Sequence, residues 1–85
     1  MIVMFYGEVK KFTNGDNLIK VDALYDLNSL IDKLSELYSK DFHKIVTENE
    51  WLILINGEAT TTTGAMNTRL KEHDKIEILP MAETG

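Results

Sequence analysis

The chain has no cysteine, a single proline at position 80, and no apolar run near the roughly 18 residues that a membrane-spanning helix needs. Without cysteine there is neither a disulfide framework nor a cysteine nucleophile, and a reducing, cytoplasmic setting fits best. No membrane partner is expected. The start, Met1-Ile2-Val3-Met4-Phe5-Tyr6, lacks the basic residues and the small-residue cleavage site of a signal peptide. Basic side chains are in the minority, with 9 Lys and Arg against 14 Asp and Glu, for a net charge of −5. Scattered acidity of this kind argues against nucleic acid as a ligand and allows attraction to a basic partner. His43 and His73 have no second histidine or cysteine at ligand spacing, so no metal site is expected. Neither the threonines from Thr60 to Thr63 nor the serines at 29, 35 and 39 have a neighbouring base that would make them nucleophiles.

What is present is enough for one small core. Eighty-five residues, 44% of them apolar, make a single domain in which every strand and helix face must share one interior. Met1 to Tyr6 is apolar on both alternating faces, as in a strand with neighbours on each side. Gly7 to Phe12 reads as irregular, and the turn cluster Thr13-Asn14-Gly15-Asp16-Asn17 leads into a second strand, Leu18 to Val21. From Asp26, a natural N-cap, the period changes to that of a helix. Leu27, Leu30, Ile31, Leu34, Leu37 and Tyr38 form one apolar stripe, ending near Ser39-Lys40. An irregular connection through Phe42 and Ile45 is expected to follow. Trp51 to Ile55 is a third strand, Asn56-Gly57 a turn before a short strand from Glu58 to Thr60, and Thr61 to Asn67 a loop expected to be mobile. Lys75 to Leu79 is the last strand, after a turn at His73-Asp74.

The order ββαβββ gives an α+β fold with one main helix across one face of a mixed sheet. The strands are expected in the order 2-1-5-3-4, with the first and fifth parallel at the centre. If Val3, Phe5, Trp51, Ile53, Ile55, Ile76 and Ile78 face the helix, then Ile2, Met4, Tyr6, Leu52, Leu54 and Leu79 face away. An apolar outer face on a one-layer sheet points to a docking surface for a partner protein. Residues 1–79 form the domain, and Pro80-Met81-Ala82-Glu83-Thr84-Gly85 form a tail expected to be flexible. Glycine has no Cβ, so a tail ending on it can enter a slot that any side chain would block.

The strand order, the Asn56-Gly57-Glu58 turn and the stretch Leu70 to Pro80 together resemble the MoaD/ThiS family of ubiquitin-like sulfur carriers, over essentially the whole chain. Val3 to Lys10 also resembles the start of MoaD, the small subunit of molybdopterin synthase. The resemblance implies a β-grasp fold and a C-terminus that projects from the last strand. Against the family's usual Pro-Pro and Gly-Gly tail, Pro80 and Gly85 match, while Met81 and Thr84 depart. The resemblance further implies that an E1-like enzyme adenylates the Gly85 carboxylate with ATP, and that a sulfur donor displaces AMP to leave a thiocarboxylate. Gly85 is then the reacting residue, and Pro80, Met81, Ala82, Glu83 and Thr84 are the stalk that partners grip. The implied partners are the E1-like enzyme and a larger catalytic subunit, such as that of molybdopterin synthase. No cofactor is bound by the carrier itself, and ATP is used by the activating partner. Two further readings fit the same residues: a modifier joined through Gly85 to lysines of other proteins, and an interaction module that uses only its sheet face.

Overall fold

The computed structural model describes residues 1–22, 26–60 and 68–81. Along the chain run β1 (Ile2–Phe5), a 3-10 helix (Gly7–Phe12), β2 (Leu18–Lys20), α1 (Leu27–Tyr38), α2 (Phe42–Glu48), β3 (Leu52–Ile55), β4 (Glu58–Thr60) and β5 (Lys75–Leu79). The sheet order is β2-β1-β5-β3-β4, as expected, with β1 and β5 parallel and the other pairs antiparallel. The two strands that read as apolar on both faces, β1 and β3, each have a strand on either side.

Register follows from the period of two. Val3, Phe5, Ile53, Ile76 and Ile78 are all buried on the helix side, and the pairs Val3–Ile76 and Ile53–Ile78 lie directly across the ladders. Over them lies α1. Asp26 caps it, with one carboxylate oxygen accepting from the Ser29 amide at 2.8 Å and the Ser29 hydroxyl at 2.9 Å. Leu27, Leu30, Ile31, Leu34 and Tyr38 are buried, each contributing about 1.5–3 kcal/mol where the side chain leaves water completely. Leu37 was expected in this stripe but is 48% exposed, because it lies at its margin, where the helix turns away from the sheet side. The helix stops at Ser39, whose φ of 53° is left-handed and whose amide donates back to the Ser35 carbonyl.

Two stretches expected to be irregular are helical. Residues 42–48 form α2, capped by Asp41, whose side chain accepts from the Lys44 amide at 3.2 Å. Phe42 and Val46, one turn apart, are both fully buried and complete the core beside Tyr38. Gly7–Phe12 winds into a 3-10 helix that buries Val9 and sets Phe12 edge-on against Trp51. The one main helix expected across the sheet is α1, and the shorter α2 packs beside it within the same core. Among the described residues, neither helix covers the other side of the sheet. The expected mobile loop at 61–67 lies outside the described residues.

Candidate docking face and C-terminal stalk

Alternation along the strands decides which side chains share the outer face. Met4 pairs with Leu18 of β2 and with Glu77 of β5, Glu77 pairs with Leu54 of β3, and Leu54 pairs with Ala59 of β4. These five form a row across the whole sheet. A second row has Ile2 between Lys20 and Lys75. Leu52 pairs with Leu79, and Tyr6 continues β1 beyond its last paired residue, its amide donating to the Ile78 carbonyl at 3.1 Å. The six outer-face residues expected from sequence are thus on one face. Ile2 is 37% exposed, and Met4, Tyr6, Leu52, Leu54 and Leu79 are half-buried by their neighbours. Leu18, 43% exposed, extends the apolar surface and was missed.

Sequence reasoning also missed Glu77. Its side chain is only 16% exposed, set among the half-buried Met4, Leu54 and Leu79. The Tyr6 hydroxyl donates to Glu77 Oε2 at 2.6 Å and lies 3.6 Å from Met4 Sδ. Glu77 Oε1 is 4.0 Å from Lys75 Nζ, beyond hydrogen-bond reach, and the Lys75 side chain is 52% exposed. The bond to Glu77 pushes the Tyr6 hydroxyl above its ordinary pKa, with partial burial and the carboxylate's charge acting in the same direction. Alternation with Ile76 and Ile78 was the available signal for the face of Glu77; its partner, 71 residues away, left no local trace.

The stalk begins where β5 ends. Pro80, grouped by sequence with the tail, is buried, and Met81 is 50% exposed. Proline has no amide hydrogen and cannot extend the ladder, so β5 stops at Leu79 and the chain leaves from a fixed φ. Ala82, Glu83, Thr84 and Gly85 lie outside the described residues. On the helix side, His43 Nε2 meets Asp32 Oδ1 at 2.7 Å, a surface pair linking α2 to α1. No helix among the described residues is long and apolar enough to cross a membrane.

The fold has counterparts in known proteins. CysO of Mycobacterium tuberculosis matches with a TM-score of 0.75 at 20% identity, over 93% of this chain and 96% of that one. A chain of the Amycolatopsis orientalis BexX/CysO complex matches with a TM-score of 0.74 at 18% identity, over 93% and 92%. Urm1 of Trypanosoma brucei matches with a TM-score of 0.72 at 20% identity, over 93% and 88%. At these identities the likeness establishes the ubiquitin-like β-grasp fold. No curated protein sequence gives a significant match. The model of the ThiS family matches residues 3–83, from the first buried position of β1 into the stalk, and the chain therefore belongs to the ThiS family of ubiquitin-like sulfur carriers.

Proposed function

We propose that Gly85 is the working end of this carrier, adenylated by an E1-like enzyme and converted to a thiocarboxylate for molybdopterin biosynthesis. A carboxylate is a poor acyl electrophile. Attack of its oxygen on the α-phosphorus of ATP, with pyrophosphate leaving, makes a mixed anhydride. A sulfur donor then attacks the acyl carbon and AMP leaves. The observation that carries this reading is the delivery of the chain from the centre of the sheet, through buried Pro80, into a stalk that starts at half-exposed Met81. In this reading the acyl transfer asks no base or nucleophile of the domain. The domain supplies a rigid platform for the stalk and an apolar face, through Met4, Tyr6, Leu52, Leu54 and Leu79, by which a partner positions Gly85 against ATP. The BexX/CysO complex supports the reading that a chain of this fold works while docked on another protein. The larger subunit of a molybdopterin synthase is the proposed receiver of the sulfur, in the cytoplasm.

Intact mass after incubation with the E1-like enzyme of the same genome, ATP and a sulfide donor tests the reading. Replacement of one carboxylate oxygen by sulfur adds about 16 Da. An unchanged mass would leave only the docking face, and adducts of the chain on other proteins would mark a modifier instead.

A further inference from the structure

Among the described residues the outer face is apolar around one carboxylate, that of Glu77, and only one of its two oxygens is within hydrogen-bond reach of a donor. Glu77 Oε2 has the Tyr6 hydroxyl at 2.6 Å, whereas among the described residues Oε1 has only Lys75 Nζ, at 4.0 Å. In the free chain, water can serve Oε1 through the 16% of the side chain that remains exposed. A partner seated over Met4, Leu54 and Leu79 removes that water. A charged group deprived of water without a new donor is strongly unfavourable, enough to cancel much of the gain from the surrounding apolar contacts.

We propose that the partner that docks on this face carries an arginine or lysine side chain that reaches Glu77 Oε1 from the middle of an apolar surface, and that Glu77 selects for it. The inference rests on the docking reading above and adds the chemistry of the occupant. Charge supports it twice: the chain carries −5 overall, which draws a basic surface in, and the carboxylate in the apolar row rejects a surface that is apolar throughout. A second copy of the chain fits less well, because a two-fold contact through this row brings two Glu77 carboxylates together. The exposed amines of Lys20 and Lys75 lie one row away, flanking Ile2, so the required basic group belongs at the Glu77 row and not at theirs.

The test is the affinity of the full chain for the E1-like enzyme of the same genome, by calorimetry at low and high salt. Glu77→Gln keeps an acceptor for Tyr6 and should keep the thermal midpoint, yet weaken binding by about 30-fold and flatten its salt dependence. Lys75→Met should leave binding unchanged or tighter. Leu54→Asp should abolish binding whatever becomes of Glu77. If Leu54→Asp abolishes binding and Glu77→Gln does not weaken it, the docking face stands and this inference falls. If Leu54→Asp binds normally at an unchanged midpoint, the docking reading falls and takes the inference with it. Equal weakening by Lys75→Met and Glu77→Gln would make the chain's own lysine the counter-ion, and self-association of the free chain that Glu77→Gln abolishes would make a second copy the occupant. Either result overturns the proposal.

Discussion

Asn56 and Asp74 meet side chain to side chain at 2.8 Å and tie the β3–β4 turn to the entry of β5. Asn56 holds a left-handed φ of 52°, its side-chain oxygen accepts from the Lys75 amide at 2.9 Å, and its own amide donates to the Lys75 carbonyl at 2.8 Å. The other carboxylate oxygen of Asp74 accepts from the Lys71 amide at 2.7 Å. One asparagine therefore sets both a hairpin and the register of the strand that delivers the stalk.

Replacing Asn56 with alanine removes the two side-chain bonds and puts a less tolerant residue at positive φ. The expected cost is about 1–3 kcal/mol, read as a lower urea midpoint. Loss of less than about 0.5 kcal/mol would show that the turn is held by Gly57 alone.

The bonds from Asn56 and from the Lys71 amide hold Asp74 below its ordinary value of 3.8. A depressed carboxyl stabilises the fold above its unfolded pKa and loses that contribution as pH falls through its folded one. The stability difference between the parent and Asp74→Asn should thus be full near neutral pH and shrink below 3.8, in urea titrations at several pH values.

Tyr38 and Asp16 carry the opposite sign. Burial, with a 2.8 Å hydrogen bond to Asp16, pushes the Tyr38 hydroxyl well above its ordinary value of 10.0. Its contribution is present below pH 10.0 and is lost as pH rises toward the folded value, so stability should fall in strongly alkaline solution. Tyr38→Phe should cost about 1 kcal/mol at neutral pH and make that alkaline fall shallower. Tyr6, also raised, keeps the remaining slope.

Phe42→Ala should cost about 3–5 kcal/mol, because the side chain is fully buried, whereas Leu37→Ala should stay within about 1 kcal/mol. Equal effects would mean that α2 is not part of the core.

Deleting Gly85, or adding one residue after it, should abolish adenylation while the thermal midpoint holds, since either change moves the carboxylate by about 3.5 Å. Thr84→Gly should preserve or raise adenylation by the E1-like enzyme. Equal adenylation of the deletion and the parent would remove Gly85 from the chemistry.

Most of the sheet was legible because strand alternation and burial are the same signal: Val3, Phe5, Ile76 and Ile78 read as inward and are buried. The helix start was legible in Asp26, whose cap is local chemistry. The short α2 was not, since seven residues with two buried positions leave no sustained period, and Phe42 and Val46 are helical because α1 and the sheet need filling there. Leu37 followed the period but not the burial. Ile2, Met4, Tyr6, Leu52, Leu54 and Leu79 were placed correctly on the outer face. The unequal surroundings of the two oxygens of Glu77 came only from the three-dimensional arrangement.

The parallel placement of β5 beside β1, with β3 on its other side, also decides how the domain answers to force. A pull on the tail runs along β5, so the bonds of both flanking ladders are sheared together instead of being peeled apart one at a time. Buried Pro80 hands the load to the sheet at its middle, where no edge strand can be stripped off first. A load on the end of β5 is therefore met by both ladders at once, and the sheet resists it as a unit.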